Sequence, residues 1–446
     1  MTSSTIILTE LQRFMKEREW SISRLSKESG INAGTLSSLI NGNKIMAVDQ
    51  LDRITTAMEL PLGHYYERYI EECLAGAPLN WRRMKPFLYR CASLDKLECM
   101  KLTVSLLMDN LIYSPLLFDT AEDFFREGKQ QAALILYKNV AASECKQHSE
   151  RLALCQYRIF TLKLGKDQAQ NLQVALQFEP YVEKLEEIDQ LDALKSLLNT
   201  YRALREWDKV SENAEKLLYK AKIMYFSHKH LHDAEAIDDS RLSRPLFFYI
   251  AYGYLMHGSA CEGQKNFKQT LLYVEKYADL SWVRERDSDT LYWMGLFRKW
   301  STLNTLITKL FMGELKLLPE YVSYIETNQE ESLIGLINIL KVANLFDLDV
   351  NLIIDQYHSD ILSAIKEIAQ QIYYEEHILD LHVQLLLELA KYYLQRGVHT
   401  SGREYLLKGI SESLAINNRN THIILCEIVQ ELTESMISQQ SPSTLA

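Results

Sequence analysis

Glycine and proline are scarce, at 16 and 8 of 446 residues. A sandwich or barrel needs frequent turns, so their rarity points to long helices. The seven cysteines (Cys73, Cys91, Cys99, Cys145, Cys155, Cys261 and Cys426) include no Cys-x-x-Cys pair. An odd, scattered set suits reduced core thiols and argues against a disulfide framework. No run approaches eighteen apolar residues, and no charged-then-apolar segment opens the chain. A cytoplasmic protein without a membrane partner is the expectation. Also missing are a phosphate-cradling Gly-rich loop, a Gly-x-Ser-x-Gly elbow and a His-Glu-x-x-His pair. Neither enzymatic activity nor a cofactor is expected.

Basic charge is not in excess either. With 49 Lys and Arg against 59 Asp and Glu, the net charge is −10, which alone speaks against nucleic acid. Residues 1–60 carry 7 basic and 7 acidic side chains, so this stretch is neutral. His228, His230, His232 and Asp233 invite a metal reading, but i and i+2 do not share a helix face. Their spacing matches none of the usual zinc patterns and reads as a polar loop.

What is present begins at Trp20. Ser21 is placed to cap a helix in which Ile22 and Leu25 form an i, i+3 apolar pair. Gly30 ends that helix, because only glycine enters the left-handed region there without steric cost. Ile31 plugs the angle, and Asn32 caps a second helix carrying Leu36, Leu39 and Ile40 on its apolar side. Two short helices joined by a Gly-containing turn form a helix-turn-helix. The second is the expected DNA-reading helix, presenting Ala33, Gly34, Thr35, Ser37, Ser38 and Asn41. Gly34 inside a helix costs roughly 1 kcal/mol relative to alanine; close approach to a DNA groove is the expected reason. Ser21, Asn32, Asn43 and Lys44 complete the predicted set of contacts to double-stranded DNA. Flanking helices are expected over 5–18, with Leu8, Leu11, Phe14 and Met15 inward, and over Val48 to Met58, with Leu51, Ile54 and Met58 inward.

Pro61 stops that last helix, and Gly76-Ala77-Pro78 is the next breaker. The expected organisation is a DNA-binding domain over 1–65, a linker helix over 66–80, helical repeats over 81–435 and a tail over 436–446. The repeat marks are small residues where two helices touch and aromatics in the gaps. Gly128, Ala133 and Tyr137 carry them in one pair. Tyr201 and Trp207, with Val210, Ala214 and Leu217, carry them in a second, and Ala390, Tyr393, Gly397, Gly402 and Leu406 in a third. Pairs over 246–279, 288–326 and 330–370 are less regular, and eight or nine pairs in all are expected. Tyr137, Tyr157, Tyr201, Tyr254 and Tyr393 are predicted fillers between helices. An asparagine amide can pair with both the C=O and the N–H of an extended peptide. Asn199, Asn304, Asn338 and Asn344, with Tyr252, are therefore the candidate peptide contacts on the concave side.

The segment Ser23-Arg24-Leu25-Ser26-Lys27-Glu28-Ser29-Gly30-Ile31, Gly34-Thr35-Leu36-Ser37 and these repeat marks together resemble the RRNPP family. That family comprises the Rap, Rgg, NprR, PlcR and PrgX peptide-sensing regulators of Gram-positive bacteria. The resemblance implies an all-α protein, with a helix-turn-helix followed by a tetratricopeptide-like superhelix. It implies a homodimeric transcription regulator whose repeats bind a short signalling peptide, as in quorum sensing. The sequence departs from a strong repressor pattern in having Ala33 and Gly34 where long side chains would read bases, which leaves room for shape readout. Two alternatives stay open: a Rap-like antagonist that sequesters a response regulator, and a peptide-independent phage-type repressor.

Overall fold

The structure, a computed structural model, describes residues 6–75, 78–108, 110–144, 149–227, 241–328, 331–356 and 375–417, and residues 422, 423, 425, 426 and 428–430 beyond them. Every regular element among the described residues is a helix. Residues 228–233, with their three histidines, and the expected tail lie outside the described residues. None of the described helices is long and apolar enough to cross a membrane. The chain divides into two compact units, Met1–Leu162 and Lys163–Ala446.

The first unit opens with α1 (Ile6–Glu17), α2 (Ile22–Ser29), α3 (Ala33–Ile40) and α4 (Val48–Ala57). In α1 the fully buried residues are Ile7 and Leu11; Leu8, Phe14 and Met15 are only half-buried. The apolar stripe is thus rotated by about a residue from the predicted one. Leu51, Ile54 and Met58 are buried as their spacing predicts.

The segment expected as a linker helix carries buried residues, Tyr66, Tyr69, Ile70 and Leu74. It forms α5 (Tyr66–Tyr69), a π-helical turn over Ile70–Leu74, and then α6 (Trp81–Ser93). Tyr66 and Tyr69 are fully buried and pack on Phe87 of α6, with ring centroids 5.0 and 5.2 Å apart. Each phenol reaches back to the helix-turn-helix: Tyr66 donates to Asp52 at 2.9 Å, Tyr69 to the Met46 carbonyl at 2.9 Å. Arg90 of α6 donates to the same Asp52 carboxylate at 2.6 Å. Both hydroxyls are satisfied, so burying the two rings adds apolar area without leaving orphaned polar groups.

The unit continues through α7 (Leu97–Met108), α8 (Ser114–Arg126), α9 (Gln130–Glu144) and α10 (Glu150–Lys163), which ends at the unit boundary. Gly128 takes φ +73° between α8 and α9, where a side chain would be strained. Ala133 and Tyr137 are fully buried, and the Tyr137 hydroxyl donates to Glu122.

In the second unit α11 (Gln168–Phe178) precedes a series of antiparallel pairs. These are α12 (Glu187–Ala203) with α13 (Trp207–Ser227), α14 (Leu246–Gly263) with α15 (Phe267–Ala278), and α16 (Ser288–Phe311) with α17 (Leu318–Thr327). Then come α18 (Ser332–Phe346) and α19 (Asn351–Gln356), and a last pair, α20 (Glu375–Gln395) with α21 (His399–Ile416). Tyr201, Val210, Ala214 and Leu217 are fully buried where α12 meets α13. In the last pair Ala390 is buried, but Tyr392 is the internal aromatic; Tyr393 stacks on Tyr405 at 5.7 Å and is half-buried. Tyr157 and Tyr254 are likewise half-buried rather than enclosed.

Three enclosed carboxylates make the fold acid-sensitive. Burial pushes Glu144, Glu179 and Asp192 up, but their bonds outweigh it and hold each below its ordinary value. Glu144 takes bonds from Ser114, Ser149 and Arg151, Glu179 from Asn213, Lys209 and Tyr201, and Asp192 from Lys195, Ser243 and Tyr249. A depressed carboxylate stabilises fully above its ordinary value, 4.5 for Glu and 3.8 for Asp. That stability is lost as pH falls through the lower folded value. Thermal melts should therefore fall steeply below pH ~4.5, and Glu144→Gln should flatten that slope. A melting temperature unchanged between pH 6 and pH 3 would contradict the assignment.

Candidate nucleic-acid interface

The local sequence builds α2 and α3 as two capped helices. The Ser21 side chain accepts from the Arg24 amide at 3.2 Å and starts α2. Gly30 takes φ +66° and ends it, and Ile31 is buried in the angle. Ser26 and Ser29 brace the turn, donating to the Ile31 and Leu25 carbonyls at 2.6 and 2.7 Å. Asn32 Oδ1 then accepts from the Gly34 amide at 2.9 Å and opens α3. Leu25, Leu36 and Leu39 lie at or below 1% exposure, which fixes the inner side of both helices.

The outer side of α3 carries the predicted set. Asn32, Gly34, Asn41, Asn43 and Lys44 are exposed, as is Ser21 on α2; Ala33, Thr35, Ser37 and Ser38 are half-buried. Two hydroxyls have local partners: Ser38 donates to the Gly34 carbonyl at 2.9 Å, and Ser37 accepts from the Asn41 amide at 3.4 Å. Such bonds compete with base contacts for Ser38, whereas Thr35 has no such bond. The glycine at 34 also has a local reason. A Cβ there would sit 3.2 Å from Asn32 Oδ1, closer than ordinary packing, so the cap itself favours glycine. Groove approach is not needed to explain it.

Reading for side-chain patterns missed the nearby cations. Arg24 and Lys27 are exposed on α2, and Arg24 stacks over Trp20 at 5.1 Å. A first helix crossing the DNA backbone is the usual place for phosphate contacts. The only available signal was their position in the helix preceding the reading helix.

These features define a helix-turn-helix DNA-binding domain. Residues 10–63 match the family of the Cro/C1-type HTH DNA-binding domain. No curated protein matches the chain.

In the second unit the predicted peptide contacts already have partners. Asn199 accepts from the Tyr252 hydroxyl on the next pair. Asn304 donates to Tyr277 at 2.8 Å, and Asn338 to Tyr321 at 3.2 Å. Asn344 donates to the Glu388 carbonyl and carboxylate at 3.1 and 2.9 Å. Tyr277 and Tyr321 are fully buried, so Asn304 and Asn338 hydrogen-bond hydroxyls of the core. Asn199 is half-buried, not free on an open face. Asn199→Ala should therefore lower stability by about 1 kcal/mol, the net worth of one such bond. Urea melts of the variant and of Tyr252→Phe test this: equal losses, not summed in the double variant, are expected.

Proposed function

We propose that this chain is a homodimeric transcription regulator whose DNA binding is governed by a short peptide held by the second unit. The observation that carries the DNA part is the capped α2–α3 pair, with its small, polar outer side. One neutral domain of this size grips an operator weakly, so two half-sites read by a two-fold dimer follow. Light scattering should give twice the 51.8 kDa of one chain; a strict monomer, with and without DNA, would count against it.

The peptide part is supported by tandem helix pairs of the second unit bearing tetratricopeptide-like marks, such as Tyr201, Val210, Ala214 and Leu217. It is supported as well by the polar side chains gathered between pairs in the second unit. No catalytic role is proposed. Gel shifts with DNA from upstream of the chain's own gene, with and without short peptides encoded beside it, test the whole reading. Binding altered by one such peptide is expected. Binding unaffected by any of them leaves a DNA-binding repressor without a peptide signal, and no shift at all removes the regulator reading.

A further inference from the structure

The second unit brings together side chains that are far apart in sequence. Arg205, at the end of α12, reaches Asp380 of α20 at 3.5 Å. Gln384 donates to the same carboxylate at 2.7 Å, and Lys341 of α18 lies 3.5 Å from the Gln384 carbonyl oxygen. Asn417, which caps α21, donates to Asp167 at 3.1 Å, 250 residues earlier. The helix pairs of this unit therefore wind far enough for the end of α21 to meet the start of α11.

Beside this line lie two charged groups with no bonds to spend on each other. Arg202 sits one turn before Arg205, and Glu262 lies in the last turn of α14. Neither side chain makes a hydrogen bond or ion pair among the described residues. Both are half-buried. Glu262 lies within electrostatic reach of Lys341 and Arg202, and so does the Tyr277 hydroxyl of Glu262 and Arg202. Burial pushes the Glu262 carboxyl up despite those two cations, as expected when no cation touches it. Arg205 is already paired with Asp380, whereas Arg202 makes no ion pair among the described residues.

An uncompensated cation beside a separated carboxyl suits a ligand that accepts on one side and donates on the other. Guanidinium takes a carboxylate through two parallel N–H bonds, and lysine adds a point charge. We propose that Arg202 and Lys341 bind the carboxylate of a short peptide, while Glu262 accepts from a neighbouring peptide N–H. This rests on the reading of the second unit as a peptide receptor. It adds the charge that the receptor selects and the residues that select it.

The test exposes the full-length protein to two synthetic random heptapeptide pools, one with free C-termini and one C-terminally amidated. Retained peptides are identified by mass spectrometry after gel filtration. Wild type, Arg202→Gln and Lys341→Gln are compared, with thermal melts confirming that each is folded. The wild type should retain free-acid peptides roughly 10-fold over amidated ones, and Arg202→Gln should abolish that preference. If the carboxylate comes from a side chain, retained amidated peptides will be rich in Asp and Glu, again only while Arg202 is present. If Arg202→Gln fails to fold, Lys341→Gln must show the same loss of preference. Neutral amidated peptides retained equally by all three proteins would overturn the carboxylate site and leave the peptide receptor standing. Retention of no peptide from either pool would overturn both.

Discussion

Replacing Thr35 and Ser38 together with glutamate should lower operator affinity at least about 30-fold without unfolding the domain. Both residues lie outside the core formed by Leu25, Leu36 and Leu39. Each carboxylate would face phosphates where a hydroxyl now sits. A lost contact costs about 1–3 kcal/mol, so two give at least about a 30-fold change. Glu at position 35 falls at the third residue of α3, where Asn32 is the cap. A carboxylate there favours the helix, through the dipole and a reciprocal cap. Loss of binding with an unchanged melting temperature would therefore report contact rather than collapse. Fluorescence anisotropy on a labelled operator measures it, and wild-type affinity in the double variant would remove α3 from the interface. Because residues 1–60 balance 7 basic against 7 acidic groups, few phosphates are neutralised. The affinity should accordingly fall only gently with salt.

Gly335→Val is expected to destabilise the second unit by about 3 kcal/mol. Gly335 lies in α18 against Ile325 of α17, and Ile325 is fully buried. A Cβ at 335 would lie 2.7 Å from Ile325 Cγ1 and 3.0 Å from Cγ2, so the whole side chain stands in its way. Two terms oppose each other. Removing a helical glycine gains roughly 1 kcal/mol, while overpacking a filled core costs about 1–3 kcal/mol for a small addition. Alanine should thus come out near neutral to mildly destabilising. Valine adds two methyls and loses the helical gain through branching, so the clash dominates. Urea unfolding of the two variants decides it, and a valine variant as stable as wild type would mean that the helices part freely at this crossing.

The helix-turn-helix was legible because its signals are local. Ser21, Gly30 and Asn32 act on backbone groups within a few residues, so their roles follow from spacing alone. The repeat marks at Gly128, Ala133 and Tyr137 were legible for the same reason. Other positions depend on partners that no local window contains. Tyr66 and Tyr69 read as a linker because their partners, Asp52, Met46 and Phe87, lie 14 to 23 residues away. Asn199 read as a free amide because its partner Tyr252 is 53 residues on. Arg205 and Asp380 meet only because the helix pairs wind, and no periodicity records that.

The most direct measurement is selection of binding sites by the full-length chain from a random-sequence duplex pool. If α3 reads DNA, one sequence family should be enriched and bound roughly 1,000-fold more tightly than scrambled duplex. The Thr35→Glu, Ser38→Glu variant should enrich nothing. A pool that stays random through selection with the folded wild-type protein, or that is enriched equally by the variant, would contradict a DNA-reading role for α3.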